Sequence, residues 1–265
     1  MSRQLIVAGF HRSGTSLVAQ LLHRAGLFMG FELLGAMPSN AYGHFEDVDV
    51  VRLHERLLAD NGLTWHVTEP VIPYVAPERW TAMEQLIARR QEHTRLWGFK
   101  DPRLCLFLPL WKYLLPDAKV VIVYRHFTQS VASLERRHSE DLFARRGPAH
   151  LHRLFWEDPD HGLKMWVEGN QGLLAHARAH PDDTLVLSFD DVRDGYPLVG
   201  EVNERWGLGL TEVDTAEVFD AAVTQRRPAR QPLADPAVGR RATHTWQQLE
   251  RLAAPAPVGA GSGDV

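Results

Sequence analysis

Four short runs of the chain are almost continuously apolar: Gln4 to Ala8, Leu96 to Phe99, Val120 to Tyr124 and Thr184 to Ser188. A strand with one wet face alternates apolar and polar residues, so unbroken runs of this length predict strands covered on both faces of a parallel sheet. Between the runs the apolar period lengthens. Leu17, Val18, Leu21 and Leu22 share one side of a predicted helix from Thr15 to Ala25, and a second helix is predicted over Phe127 to Arg137. Further helical stretches are read at Val48 to Asp60 and Pro77 to Arg90. The alternation of strand and helix predicts an α/β fold, a three-layer arrangement of a parallel sheet flanked by helices.

Two excursions exceed what a crossover needs. One separates the first helix from the second strand, and the other, from His138 to about His161, is rich in charge and histidine. Such insertions over the carboxyl edge of a sheet are where substrate loops usually sit. The pattern predicts one domain over residues 1–252. The Ala-, Pro- and Gly-rich segment 253–265 is predicted to be a disordered tail.

Composition narrows the class. In 265 residues, 45% are hydrophobic, enough to close a sizeable core, which excludes collagen, a disulfide scaffold and wholesale disorder. The formal charge is −4, which argues against a protein that coats nucleic acid but leaves a local basic cleft open. Only four of the 29 basic residues are lysines: Lys100, Lys112, Lys119 and Lys164. The single cysteine, Cys105, lies in an apolar run and is expected to be a buried thiol. A reducing compartment, the short apolar stretch at the amino end and the lack of any run near ~18 apolar residues together predict a cytoplasmic protein without a membrane span.

Gly9-Phe10-His11-Arg12-Ser13-Gly14-Thr15-Ser16 leaves a strand and opens a helix, the setting of a phosphate-binding loop (P-loop). Its glycines let backbone N–H groups converge on an anion, helped by the positive end of the helix dipole. The competing reading is a plain glycine turn with Ser13 as helix cap. Thr15 stands where a nucleotide-hydrolysing loop carries lysine, and the cation sits three places upstream at Arg12. A second motif begins where Lys119 to Tyr124 ends. Arg125 emerges at that strand's carboxyl end, and Ser133 follows about two turns into the next helix, so both can face the crevice beside the first loop.

Together these motifs resemble the sulfotransferase family that uses 3′-phosphoadenosine 5′-phosphosulfate. Arg12-Ser13-Gly14-Thr15-Ser16 is similar to its 5′-phosphosulfate loop, and Arg125 with Ser133 matches the spacing of its 3′-phosphate pair. Trp97-Gly-Phe-Lys-Asp-Pro-Arg103 resembles the Lys-Asp-Pro segment of carbohydrate and tyrosyl-protein sulfotransferases. Tyr42-Gly-His-Phe-Glu-Asp47 resembles the Gly-x-x-Glu-Asp segment of bacterial members, and Leu187 to Val192 their Tyr-Glu-Asp-Leu junction. The chain departs from the pattern with arginine for lysine in the loop and Phe-Asp-Asp for Tyr-Glu-Asp. Arg226 and Arg227 are candidates for the carboxyl-terminal 3′-phosphate loop. The resemblance implies the phosphosulfate nucleotide as co-substrate, no required metal, and a small-molecule or carbohydrate acceptor.

Sulfuryl transfer needs positive charge where the departing phosphate oxygen becomes anionic, and Arg12 and Lys100 are placed for that task. Asp101 and Arg103 are read as supports of the turn after Lys100. The acceptor must lose a proton, and Glu46 is the candidate base, with Asp47, Asp49 and His44 as neighbouring alternatives. An acidic first turn facing the helix dipole is the competing account of these carboxylates. His176 and His180 are expected at a solvated helix end, and His150 and His152 facing water. Trp65, Trp80 and Trp156 are read as packing residues that could line an acceptor pocket. The rival functional readings are a P-loop kinase or NTPase using ATP and magnesium, with Leu185 to Asp190 as metal-binding strand and acid, and a non-catalytic nucleotide-binding protein.

Overall fold

The computed structural model describes residues 2–35, 43–218 and 235–253. Tyr42, Arg226, Arg227 and the segment beyond 253 lie outside the described residues. The four apolar runs form strands β1 (Arg3–Ala8), β2 (Leu96–Lys100), β3 (Lys119–Tyr124) and β4 (Thr184–Ser188). They pair in parallel in the order β2-β1-β3-β4.

Both faces of this sheet are dry, which explains why the runs do not alternate. Leu5, Val7, Val121, Val123, Leu185 and Leu187 face α1 (Thr15–Arg24) and, further along the chain, the helix Leu198–Trp206. Ile6, Ala8, Val120, Ile122 and Val186 belong to the opposite core, with α2 (Val48–Asp60), α3 (Pro77–His93), α4 (Leu104–Leu114), α5 (Phe127–Phe143), α6 (Ala149–Glu157), α7 (His161–Ala179) and the helix Pro236–Leu252. The remaining helices are α8 (Phe189–Arg193), α9 (Leu198–Trp206) and α10 (Pro236–Leu252). This is the expected three-layer arrangement.

The topology opens a crevice at one place. From β1 the chain turns onto the α1 face on its way to β2, whereas from β3 it turns onto the opposite face through α5 on its way to β4. The loops leaving the adjacent strands β1 and β3 therefore diverge, the arrangement that makes ligand crevices in α/β sheets. The register aligns the strand ends along that edge: Val7 lies beside Lys100, Ala8 beside Ile122, and Tyr124 beside Ser188. The loop of residues 9–14, Lys100, Arg125 and Phe189 all emerge there.

The excursions differ from expectation in detail. The helix expected to end at Arg137 continues to Phe143, because Leu134 and His138 extend its buried stripe. His150 is exposed, but His152 is buried: its Nε2 meets the Arg146 carbonyl at 2.7 Å and its Nδ1 meets His138 Nδ1 at 2.7 Å. His176 is likewise buried at the end of α7, 4.9 Å ring to ring from His180, and burial takes its pKa down to about 4. His152 lies on the buried side of the nine-residue helix α6, next to charged neighbours in the sequence, and His176 on the buried side of the last turn of α7. Cys105 is buried at the start of α4, and burial pushes its thiol pKa upward. Among the described residues no helix is long and apolar enough to cross a membrane.

Candidate active site

The loop after β1 is built on two glycines that no other residue can replace without movement. A Cβ on Gly9 would stand 2.4 Å from the Val123 carbonyl oxygen, and one on Gly14 only 2.1 Å from Phe189 Cδ2. Gly14 (φ 89°) is the N-cap of α1, with no side-chain cap bond, so Ser13 is not the cap that the simpler reading required. The Ser13 hydroxyl is buried and has no hydrogen-bond partner. The first amides of α1 point out of the helix towards the crevice, as at any helix start. Arg12 itself adopts a left-handed backbone (φ 64°), a strain of ~1–2 kcal/mol that sends its side chain across the crevice.

That side chain meets the second motif. Arg12 Nε donates to Ser133 Oγ at 2.9 Å, and Arg125 Nη1 lies 3.5 Å from the Arg12 carbonyl oxygen. Arg125 also bonds Gln129 through Nε at 2.8 Å and lies over the Phe189 ring, 4.7 Å from its centroid. Phe189 is thus wedged between Gly14 and Arg125. Burial, then the charges of Arg137, Arg125 and Arg136, lower the Arg12 pKa to about 10. Ser130, on the same turn of α5, has a second buried hydroxyl without a partner. Cations that make each other harder to ionise, beside unpartnered hydroxyls, suit a bound polyanion.

On the other side of the loop, Lys100 at the end of β2 is 2% exposed. Its ammonium donates to Glu46 Oε1 at 2.7 Å, to the His44 carbonyl at 3.1 Å and to Ser16 Oγ at 3.3 Å. Glu46 is held by backbone pairing of its segment with residues 32–34: Leu34 donates to the Glu46 carbonyl at 2.8 Å, and His44 and Phe45 donate back to Leu34. Phe45 is a second left-handed residue (φ 52°). Burial would raise the Glu46 pKa, but the Lys100 charge and the His44 contact outweigh it and hold it at about 2. The alternative carboxylates have other work. Asp47 caps α2 through the Asp49 amide at 3.0 Å and pairs with buried Arg90, while Asp49 meets Arg89 at 3.3 Å.

Asp101 and Arg103 support the turn as expected: Asp101 accepts from the Arg103 amide at 2.7 Å and from its Nη1 at 2.8 Å. A further layer was not legible locally. Trp111 Nε1 can only donate, and it does so to His54 Nε2 at 2.8 Å, so the His54 proton sits on Nδ1, 3.5 Å from Asp101. Burial opposes ionisation of Asp101, but Arg103 and His54 hold its pKa below the usual carboxylate range. Removing this carboxylate leaves the largely buried Arg103 guanidinium with only the exposed Glu55 carboxylate, 3.0 Å away, as its ion-pair partner. Asp101→Ala is expected to cost about 3–5 kcal/mol, read by urea unfolding, and a loss under 1 kcal/mol would show the network to be dispensable.

All of Arg12, Ser13, Gly14, Thr15, Ser16, Arg125, Ser133, Lys100 and Glu46 line this one edge of the sheet, with Thr15 buried against Gly9. Of the three tryptophans, Trp65 reaches the loop, 4.4 Å from the His11 ring; Trp80 packs on Tyr113 and Trp156 is 53% exposed. Burial, and after it the charge of Arg103, keep His11 neutral by lowering its pKa. Two residues at the site are not signalled by the motifs: Phe189, which supports the loop at Gly14, and Arg137, whose charge acts on Arg12. The position of Arg137 four residues after Ser133, one turn along the same helix face, was the available signal. Among the described residues no group of three or more His, Cys, Asp or Glu side chains could hold a metal ion.

A model of the sulfotransferase family matches residues 4–195, a span that includes every residue of the site. The chain belongs to the sulfotransferase family. Among solved structures, this sulfotransferase is similar to the sulfotransferase domain of the Synechococcus PCC 7002 olefin synthase, at 17% identity and a TM-score of 0.46, covering 97% of this chain and 96% of that one. It is also similar to sulfotransferase STF1 from Mycobacterium tuberculosis H37Rv, at 14% identity and a TM-score of 0.44, over 82% of this chain and 70% of that one. No curated protein matches the chain by sequence.

Proposed function

We propose that this sulfotransferase moves a sulfuryl group from 3′-phosphoadenosine 5′-phosphosulfate to a hydroxyl or amine of a small-molecule or carbohydrate acceptor, with Glu46 as base. The observation that carries the donor assignment is that Arg12 reaches across to Ser133 while Arg125 reaches the loop at the Arg12 carbonyl, with the hydroxyls of Ser13 in the loop and Ser130 one turn before Ser133 buried and unpartnered. Two separated phosphate groups need two cationic poles. The loop with Arg12 and Lys100 provides one for the 5′-phosphosulfate, and Arg125 with Ser133 the other for the 3′-phosphate.

When bound, the donor supplies a sulfuryl group whose transfer is loose and in-line, so positioning and charge do most of the catalysis. The acceptor oxygen or nitrogen forms its bond to sulfur as the sulfur–oxygen bond to the 5′-phosphate breaks. The electron pair of that bond leaves on the phosphate oxygen, where Lys100 and Arg12 meet it, and the acceptor's proton passes to Glu46. Each cationic donor at the leaving oxygen is worth roughly 10²- to 10³-fold in rate. No step calls on a metal.

Titration calorimetry tests the donor. Adenosine 3′,5′-bisphosphate is expected to bind without magnesium and more tightly than ATP, and Arg125→Ala is expected to weaken it by roughly 10- to 100-fold. Magnesium-dependent ATP binding of equal or better affinity would replace this reading with that of a kinase or NTPase. Bisphosphate binding without sulfuryl transfer to water or any acceptor would leave a nucleotide-binding protein.

A further inference from the structure

The Lys100 ammonium has three protons, and its three bonds go to Glu46, to the His44 carbonyl and to Ser16. The proposed reaction asks two things of this pair at once. Lys100 must reach the leaving phosphate oxygen, and Glu46 must offer a lone pair to the acceptor's proton. As they stand, the 2.7 Å contact engages Oε1 and the ammonium's charge lowers the basicity of the whole carboxylate, in a pair that is buried, with side-chain exposures of 2% and 10%.

Building on the donor assignment above, we propose that Glu46 and the phosphosulfate compete for Lys100, so that donor binding is what releases Glu46 to act as the base. Lys100 swings its shortest bond from Glu46 Oε1 to the oxygen bridging sulfur and phosphorus, while the His44 carbonyl keeps hold of the ammonium. Ser16 makes the exchange short. Its hydroxyl opens α1 at the loop and already lies 3.3 Å from Lys100 Nζ, so the ammonium touches the anion-binding loop before it moves. Once freed of the lysine, the Glu46 carboxylate becomes a stronger base, and only then does the acceptor meet a competent site. Proton uptake completes the cycle: a neutral Glu46 no longer competes, so Lys100 stays with the departing phosphate until the bisphosphate leaves. The enzyme is thereby biased to take donor before acceptor, and a carboxylate inhibits donor binding through a lysine rather than by direct repulsion.

Neutralising the proposed base with Glu46→Gln should tighten adenosine 3′,5′-bisphosphate binding, by about 5- to 10-fold in calorimetry, because Lys100 no longer has to leave a carboxylate. The control separates competition for Lys100 from through-space electrostatics. Lys100→Gln alone strands a buried carboxylate and loses stability, so the comparison uses the double variant Lys100→Gln/Glu46→Gln, which removes both charges. Competition predicts that the tightening disappears in the double variant, with affinity at or below that of the wild type. Tightening that persists without the lysine, or Glu46→Gln affinity within twofold of the wild type, overturns the inference while leaving the donor assignment intact. Failure of the wild type to bind the bisphosphate overturns both.

Discussion

Glu46→Gln is expected to fold like the wild type and to transfer sulfuryl groups roughly 10²- to 10⁴-fold more slowly, the usual worth of a positioned base. The amide is isosteric with the carboxylate, and its oxygen still accepts from Lys100, so the packing of residues 43–47 against 32–34 is preserved. What the amide cannot do is take the acceptor's proton. Release of bisphosphate with water as the acceptor provides a rate that needs no knowledge of the natural substrate. Chemistry and binding part company in this variant, which is expected to hold nucleotide more tightly. Turnover within a few-fold of the wild type would remove Glu46 as the base. His11 would then be the next group to test, because it lies close enough to feel the charges of Glu46 and Lys100 and is neutral.

Gly14→Ala is expected to abolish nucleotide binding and to lower the melting temperature by several degrees. Two costs add. A left-handed φ of 89° strains an alanine by ~1–2 kcal/mol, and its methyl carbon would begin 2.1 Å from Phe189 Cδ2, an overlap of the kind that costs ~1–3 kcal/mol. At ~2–4 °C per kcal/mol for a domain of this size, the loss is visible by calorimetric melting. The functional effect exceeds the thermal one because Phe189 is the surface on which Arg125 rests. Pushing the ring away moves Arg125 and the loop together, the two parts proposed to hold the 3′-phosphate and the phosphosulfate. Adding Phe189→Leu should recover part of the stability by relieving the overlap, but not the nucleotide affinity. An unchanged melting temperature with normal binding would show that loop and ring are less tightly joined than their contact implies.

The donor side was more legible than the acceptor side. Arg12, Ser13, Gly14 and Thr15 are contiguous, and their context of strand, loop and helix is local; Arg125 and Ser133 are separated only by the start of one helix. Lys100 and Glu46 could each be singled out, but as separate parts. Their ion pair joins residues 54 positions apart through a segment whose hold on residues 32–34 no local pattern announces. The same applies to His54, whose proton position follows from Trp111, 57 residues away. His152 has charged neighbours and His176 lies near a helix end, which predicts exposure for both, whereas burial is decided by the direction in which each helix face points after packing.

Hydrophobic periodicity by itself determined the layered α/β architecture, since a chain that must bury both faces of each strand has few other ways to fold, and the glycine-rich turn marked the strand end where the crevice opens. Only the tertiary structure decided which charges neutralise which. Lys100 is committed to Glu46, Arg12 to Ser133, Asp47 to Arg90 and Phe189 to the loop because the register aligns the strand ends and the topology sends the chain to opposite faces after β1 and β3. Periodicity is a property of neighbours along the chain. Electrostatic pairing depends on distances of a few ångströms between residues that folding alone brings together.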